Sequence, residues 1–222
     1  RDAQESRGVG DVYKRQGENP AAWRGNLRSL LPSPAKVKKV VHRAALNYNE
    51  VPALMRELAP RADFSASCLR LQILTATRPG EASAARWAEF NLDNRTWLIP
   101  GARTKTGRDH TVPLSTQAVA LLTHLPTSRD NFLFPGKPGK PITTAAPLKL
   151  LKSLRPGQTC HGFRSSFRDW AAEVSHHSRE AAELALGHVV KSKTEAAYFR
   201  SEMLKKRIPL MQDWADYCHA EP

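Results

Sequence analysis

The stretch His161-Gly162-Phe163-Arg164-Ser165-Ser166-Phe167-Arg168 has the pattern of a helix with one apolar and one polar face. Its two phenylalanines supply the side that packs into a core. His161 and Arg164 are three residues apart, so a helix brings them to one face near its N-terminus, where a phosphate binds favourably. The pattern predicts a helix over residues 161–174 that can hold an anion. The alternative is a solvated surface on which Arg164 forms an ordinary ion pair.

Two further motifs follow in the same part of the chain, Leu186-Gly187-His188 and Glu195-Ala196-Ala197-Tyr198. The glycine indicates a helix end just before His188. A phenol is a poor nucleophile at neutral pH because its pKa is about 10, but fixed cations and a nearby proton acceptor make its attack on a phosphate feasible. These groups and the preceding helix therefore suit metal-free attack on a phosphodiester. Taken singly, each residue also has an ordinary structural interpretation. His188 is compatible with a packed, hydrogen-bonded histidine, and Tyr198 is compatible with a half-buried tyrosine.

The composition suggests a polyanionic partner. The 222 residues contain 34 Lys+Arg against 21 Asp+Glu, a formal net charge of +13, although charge alone does not separate DNA from RNA or an anionic membrane. No apolar run reaches the roughly 18 residues of a transmembrane helix, and no secretory signal is visible, so we expect a cytoplasmic protein. Cys68, Cys160 and Cys218 are scattered and predict neither a disulfide framework nor a structural zinc site.

The chain divides into three parts by composition. Residues 1–16 have no apolar period and predict either a non-native sequence or a disordered tail. Residues 17–46 combine three prolines with a basic cluster and predict a linker with little core of its own. Residues 47–222 carry the regular apolar patterns and the motifs suited to attack on a phosphodiester, so we expect one catalytic domain there.

The predicted elements are mainly helical, with one small antiparallel sheet. Asn49 is predicted to cap a first helix that has Pro52 in its first turn. Residues 89–92 and 96–99 alternate as a hairpin, and a third strand follows at 110–114. Further helices are predicted over residues 64–77, 81–87, 116–125, 145–154, 178–186, 194–199 and 201–219.

Two earlier cations lie at breaks in this pattern. Pro79 disfavours helical backbone at Arg78, and Gly80 permits a turn, so Arg78 lies between two helices. An arginine held there suits a phosphate clamp, or it forms a local ion pair with Glu81. Lys105 lies on the polar segment before the third strand, where a surface lysine is the ordinary interpretation.

Other catalytic classes lack their characteristic residues. His176 and His177 are adjacent and point apart on a helix, so they do not form a metal pair. The sequence contains no Walker-type phosphate loop and no paired carboxylates of the two-metal nuclease kind. Ser165 and Ser166 lack the strand and turn that a serine hydrolase requires. We therefore expect no metal and no cofactor.

In their order and spacing, the motifs resemble the catalytic domain of tyrosine recombinases, specifically integrases of prophage and genomic-island type. The matching segments are Thr75-Ala76-Thr77-Arg78-Pro79-Gly80-Glu81, Thr104-Lys105 with His110-Thr111-Val112-Pro113-Leu114-Ser115, His161-Gly162-Phe163-Arg164, Leu186-Gly187-His188 and Ala197-Tyr198. The resemblance covers about residues 17–222 and implies the fold of DNA breaking-rejoining enzymes. The tail around Tyr217 also looks like the end of such an integrase, but this second phenol matches no catalytic motif and is predicted to pack or lie on the surface.

The resemblance implies a nucleophile and a phosphate clamp. Tyr198 would attack the scissile phosphate and form a 3′-phosphotyrosyl link. Arg78 and Arg164 would hold the non-bridging oxygens, and Glu81 matches the acidic position that supports the first arginine.

It also implies the proton transfers. Lys105 would protonate the leaving 5′-oxygen as general acid, His161 would assist proton transfer at the tyrosine, and His188 would hydrogen-bond the phosphate. A 5′-hydroxyl of another duplex would then reverse the first step, so neither ATP nor a divalent metal is implied.

The implied partners are double-stranded DNA attachment sites, bound by a homotetramer of the full-length protein, with no membrane involved. Family members of this type are bacterial or phage-derived and carry arm-binding and core-binding domains ahead of the catalytic one. Only the linker, or a remnant of the core-binding region, precedes it here, so we expect a truncated fragment. Two alternatives stay open: type IB topoisomerase-like activity, and a catalytically inactive DNA-binding fragment.

Overall fold

A computed structural model describes residues 44–126, 131–188 and 203–221. All of them belong to one unit, Arg43–Pro222. The segment predicted as a tail, nearly all of the predicted linker and the predicted helix at 194–199 lie outside the described residues.

The described residues form α-helices and one small sheet, as predicted. The helices are α1 (Val51–Leu58), α2 (Phe64–Thr75), α3 (Pro79–Ser83), α4 (Thr116–Thr123), α5 (Ala145–Leu154), α6 (Phe163–Glu173), α7 (Arg179–Ala185) and α8 (Leu204–Cys218). Among the described residues, no helix is both long enough and apolar enough to span a membrane.

The predicted hairpin and third strand form a three-stranded antiparallel sheet in the order β1-β2-β3. The strands are β1 (Phe90–Asn91), β2 (Thr96–Ile99) and β3 (His110–Pro113). Trp97 pairs with Phe90 on one side and with Val112 on the other. Its indole is fully buried and stacks on Phe90, with ring centroids 5.0 Å apart. The aromatic pair fixes the register because a shift of β2 by one residue would turn Trp97 to the opposite face of the sheet.

Helix α2 lies at the centre of the core. It packs against α1, α3, α4, α5 and α8, and its residues from Ala66 to Thr75 are buried with the exception of Arg70. Trp214 of α8 donates from its indole N–H to the carbonyl oxygen of Ile73 at 2.8 Å. Burial of this apolar surface is the main force that holds the helices together. The break at Arg78 comes directly after this rigid helix.

Three predicted helix starts and ends are wrong by two residues. Asn47, not Asn49, makes the capping bond: its side chain accepts from the backbone N–H of Asn49 at 2.9 Å and starts a 3₁₀ turn before α1. Helix α2 ends at Thr75 because Ala76 has left-handed backbone, with φ 50°. His161 lies in a 3₁₀ turn, Cys160–Gly162, that precedes α6.

The predicted helix at 81–87 is replaced by the shorter α3 for a long-range reason. The N–H of Leu133 donates to the carbonyl of Ala85 at 2.8 Å, and the N–H of Trp87 donates to the carbonyl of Asn131 at 3.0 Å. This pairing holds Arg86 in extended backbone, with φ −121° and ψ 143°, before a 3₁₀ turn at Trp87–Glu89. The local sequence carries no signal of it.

Residues 44–50, which we call the N-terminal strap, lie against α6. The hydroxyl of Thr159 donates to the carbonyl of Ala44 at 3.1 Å, and the hydroxyl of Ser166 donates to the carbonyl of Leu46. Ser166 is therefore buried beneath the strap. Tyr48 fastens the other end of the strap by donating to Glu173 at 2.7 Å.

Candidate functional site

A cleft of about 640 Å³ is lined by five of the predicted site residues, Arg78, Lys105, His161, Arg164 and His188. Its lining residues are Arg78, Lys105, Thr106, His161, Arg164, Ser165, Arg168, Leu186, Gly187 and His188. Tyr198, the predicted nucleophile, lies outside the described residues, in the gap between His188 and Met203. The chain is described up to His188 at the rim of this cleft and again from Met203, five residues after Tyr198.

Arg78 is held at the start of α3 by Glu81. Its extended backbone, with φ −74° and ψ 148°, follows from the proline at residue 79. The Glu81 carboxylate accepts from both the backbone N–H and the Nη1 of Arg78, each at 2.8 Å. The local ion pair considered from the sequence is present, and it aims a half-buried guanidinium at the cleft. The ion pair with Glu81 therefore leaves Arg78 free to serve as the predicted phosphate clamp, which stays a prediction.

Arg164 is the most enclosed cation of the cleft. Its side chain is 6% exposed, and it donates to the carbonyls of Ala76 at 2.8 Å and Leu186 at 2.7 Å. Burial lowers the pKa of Arg164 to about 10, and the charge of Arg78 acts in the same direction. The guanidinium stays protonated at neutral pH. Its hydrogen bonds to described residues go to carbonyls and an imidazole rather than to a carboxylate, so its charge is available to an anion.

The left-handed Ala76 has a direct role in this arrangement. Left-handed backbone costs a residue with a Cβ roughly 1 kcal/mol, and it turns the Ala76 carbonyl toward Arg164. The conformation that ends α2 is therefore part of the support for Arg164.

His188 follows the end of α7, where Gly187 has a φ of 63°. The N–H of Gly187 donates to Leu184 and the N–H of His188 to Glu183, each at 3.0 Å, which is the hydrogen-bond pattern of a Schellman motif. The helix end predicted at Gly187 is confirmed. The His188 ring is half exposed, and its Nε2 lies 3.1 Å from Nη2 of Arg164.

Lys105 lies on a folded-back loop between β2 and β3. The hydroxyl of Thr104 donates to the carbonyl of Arg108 at 2.8 Å, and the N–H of Gly101 donates to Asp109 at 2.7 Å. Arg103, at the base of the loop, forms an ion pair of 2.6 Å with Glu89. The stem is fixed while Lys105 is exposed and faces the cleft.

His161 is held at the N-terminal end of α6. The Thr159 hydroxyl accepts from the N–H of Gly162 at 3.2 Å and caps the 3₁₀ turn that contains His161. The 3₁₀ turn places this imidazole beside the first turn of α6. His161 and Arg164 both line the cleft, as their spacing predicted.

Sequence reasoning missed the support behind His188. Glu183 Oε2 lies 2.5 Å from Nδ1 of His188, and its Oε1 lies 3.1 Å from Nε of Arg168. The only signals in the sequence are spacings: Arg168 comes one helical turn after Arg164, and Glu183 lies within the helix that ends before His188.

A second missed support lies beneath Gly187. The ring of His110 on β3 would be 3.5 Å from a Cβ at residue 187, and its Nε2 lies 3.3 Å from the carbonyl of Ala185. Burial, together with the charge of Arg207, lowers the pKa of His110 to about 4, so this imidazole is neutral. Arg207 is fully buried on α8 and donates to the carbonyl of Thr111 at 2.8 Å.

Tyr217 is kept away from the cleft by its packing. It stacks on Trp214 with ring centroids 6.0 Å apart, and its hydroxyl donates to Asn49 at 2.9 Å. His177 pairs with Asp213 at 2.6 Å. Neither group lines the cleft.

Comparison with known proteins points to one family. A sequence model of the phage integrase family matches residues 44–205. Prophage integrase IntA of Escherichia coli K12 is 39% identical over 180 residues, which make up 78% of this chain and 43% of that protein. The chain spans about half the length of the relatives it matches, from 43% to 53% for the first three.

Solved structures share the fold. The integrase from mycobacterium phage Brujita aligns with a TM-score of 0.60 at 19% identity and covers 84% of this chain and 62% of its own. A lambda integrase tetramer bound to a Holliday junction aligns with a TM-score of 0.53 at 17% identity, over 70% of this chain and 50% of its own.

Proposed function

The chain belongs to the phage integrase family, and we propose that it is the catalytic part of a tyrosine site-specific recombinase that cuts and rejoins DNA. One observation carries the proposal: cations and imidazoles from well-separated stretches of the sequence line a single cleft. They are Arg78, Lys105, His161, Arg164 and His188. Guanidinium, ammonium and imidazole groups together suit the phosphate of a DNA backbone, whose charge grows during nucleophilic attack.

Cleavage begins with Tyr198. Its phenolic oxygen attacks the scissile phosphorus and forms a 3′-phosphotyrosyl bond, and the bond from phosphorus to the 5′-oxygen breaks. The phenolic proton passes to His161, and Lys105 gives a proton to the leaving 5′-oxygen. The position of Lys105 on an exposed loop with a fixed stem supports this role, because the ammonium can reach a substrate while its loop stays in register.

Arg78 and Arg164 stabilise the transition state. Each is held by bonds on one side, to Glu81 and to the carbonyls of Ala76 and Leu186, so no reorganisation is needed when charge develops on the phosphate oxygens. His188 adds a hydrogen bond to the same phosphate.

The second step reverses the first with a new 5′-hydroxyl. The phosphotyrosyl bond retains the energy of the broken phosphodiester, so the reaction consumes no nucleotide. The substrates are double-stranded attachment sites of a mobile element in the bacterial cytoplasm. The full-length protein works as a homotetramer on DNA, as the lambda integrase tetramer bound to a Holliday junction suggests.

The nucleophile is tested by trapping on nicked duplexes. We use a pool of suicide duplexes with randomised core sequences and detect the covalent adduct by denaturing electrophoresis. We expect an adduct with the unmodified chain and with the matched control Tyr217→Phe, whose phenol is held by Asn49. Tyr198→Phe should form no adduct while binding DNA with similar affinity, because only the attacking oxygen is removed. An adduct that persists in Tyr198→Phe contradicts the assignment.

A further inference from the structure

Glu183 joins three elements behind the cleft. Its two carboxylate oxygens have different partners: Oε2 lies 2.5 Å from Nδ1 of His188, and Oε1 lies 3.1 Å from Nε of Arg168. Arg168 belongs to α6, Glu183 to α7, and His188 to the chain that leaves α7. Since Arg168 also lines the cleft, a continuous chain of contacts runs from Arg168 through Glu183 and His188 to Arg164.

The backbone brings His188 back to Glu183. Because Gly187 is left-handed, the chain reverses after α7, and the N–H of His188 donates to the carbonyl of Glu183 at 3.0 Å. Both the backbone and the side chain of His188 are therefore attached to the same residue. The imidazole has little freedom to rotate away from the cleft.

The carboxylate decides which nitrogen of His188 faces the substrate. An ionised carboxylate only accepts hydrogen bonds, so Nδ1 must carry the proton of that 2.5 Å contact. Nε2 is then the nitrogen that points into the cleft, 3.1 Å from Nη2 of Arg164. A neutral ring accepts from Arg164 there, and a protonated ring donates to an anion.

Glu183 stays ionised in this position. Its partial burial raises the pKa of the carboxyl, but the hydrogen bond from His188 and the charge of Arg168 outweigh burial and hold that pKa below its usual value. Arg168 thus maintains the acceptor that Nδ1 of His188 needs.

We propose that Glu183 is a positioning residue of the reaction: with Arg168 behind it, it keeps a proton on Nδ1 of His188 and orients the ring so that Nε2 faces the scissile phosphate, to which the ring donates when Nε2 is protonated as well. The expected effect on the reaction rate rests on the proposed function, whereas the expected tautomer of His188 rests on the contacts alone.

The tautomer is tested by NMR without any substrate. Long-range ¹⁵N–¹H spectra of the full chain report which nitrogen of His188 is protonated, and the missing peaks of His188→Asn assign the ring. We expect protonated Nδ1 in the unmodified chain and in Glu183→Gln, whose amide oxygen still accepts. Glu183→Ala should shift the ring toward the tautomer protonated at Nε2. An unchanged tautomer in Glu183→Ala overturns the proposal.

The kinetic consequence is tested with the nicked duplexes. Glu183→Ala should slow adduct formation by about 10- to 100-fold, with DNA affinity within about threefold of the parent, and Glu183→Gln should recover part of the rate. Glu180→Gln removes the same charge from an exposed position of α7 and should leave the rate unchanged. Equal losses in Glu183→Ala and Glu180→Gln would mean a general charge effect and overturn the positioning role. If the unmodified chain forms no adduct, the recombinase proposal fails, whereas the NMR result still decides the tautomer.

Discussion

At the scale of single residues, Arg164 shows how a buried cation of the cleft is fixed without a carboxylate. Its two Nη atoms bridge the carbonyls of Ala76 and Leu186, which belong to segments far apart in sequence. A guanidinium presents several donors in a rigid plane, whereas an ammonium is a single point of charge. Arginine and lysine are therefore not equivalent at residue 164, although both side chains carry one positive charge.

We predict that Arg164→Lys destabilises the protein and the reaction together. One ammonium cannot reach both carbonyls and the phosphate, so a buried acceptor loses its partner at a cost of about 1–3 kcal/mol, and adduct formation falls by about 100-fold or more. Urea unfolding and the nicked-duplex assay measure the two effects. Arg179→Lys, on an exposed position, is the control. An Arg164→Lys chain with parental stability and rate would contradict this account.

His110 predicts a pH dependence of stability. Its pKa is about 4 in the folded chain, against 6.5 for the unperturbed group, because of burial and the charge of Arg207. The unfolded chain therefore binds a proton first as the pH falls, and the free energy of unfolding decreases between pH 6.5 and 4. The loss amounts to about 3 kcal/mol. Chemical denaturation of the parent and of His110→Gln across this range isolates the effect, since the Gln variant should lack it. Parallel pH profiles would show that His110 is not responsible.

The sequence predicted the residues with chemical motifs and missed those that act through distant contacts. Arg78 was expected in extended backbone because Pro79 dictates it, and Gly187 was expected to end a helix. The local sequence around Glu183 does not predict that its two carboxylate oxygens bridge His188 and Arg168. Such a pairing depends on how α6 and α7 pack, which local patterns do not encode.

At the scale of elements, the N-terminal strap fits against α6 only because residue 162 is glycine. A Cβ there would lie 2.5 Å from the carbonyl oxygen of Ala44 and 2.7 Å from the Cα of Ala45. His161 and Arg164 flank this contact, so the strap supports the part of α6 that faces the cleft.

We predict that Gly162→Ala lowers the free energy of unfolding by about 1–3 kcal/mol, because strap and helix must move apart. Urea denaturation measures it. Gly80→Ala is the matched control: a Cβ at that position meets nothing within 4 Å, so its stability should stay equal or rise slightly. A Gly162→Ala chain as stable as Gly80→Ala would contradict this prediction, because the strap would then move away from the helix at no cost in free energy.

The elements themselves were largely predictable, and their ends were not. Apolar periodicity gave the hairpin and most helices, since burial imposes those periods. It extended α2 past Thr75 because alanine carries no signal of the left-handed backbone at Ala76. It also assigned helix to residues 85–87, where pairing with residues 131–133 prevails over local propensity.

At the scale of the whole molecule, the basic surface predicts how DNA binding responds to salt. The formal net charge is +13, and each phosphate that a cation neutralises releases counterions. With roughly four or more phosphate contacts, the affinity should fall about 100-fold between 50 and 200 mM salt. Fluorescence anisotropy with a labelled duplex measures the slope, and salt-insensitive binding would exclude a phosphate-dominated interface.

Finally, the two ends of the described unit are fastened to each other. Arg56 Nη1 donates to the carbonyl of Ala220 at 3.0 Å, and Tyr217 donates to Asn49 at 2.9 Å. The first and last segments of the described unit therefore lie close together. A short linker between these two ends would close the backbone of the unit into a ring. The unit should therefore tolerate circular permutation, in which the elements follow one another in a new order along the gene but keep their places in the fold.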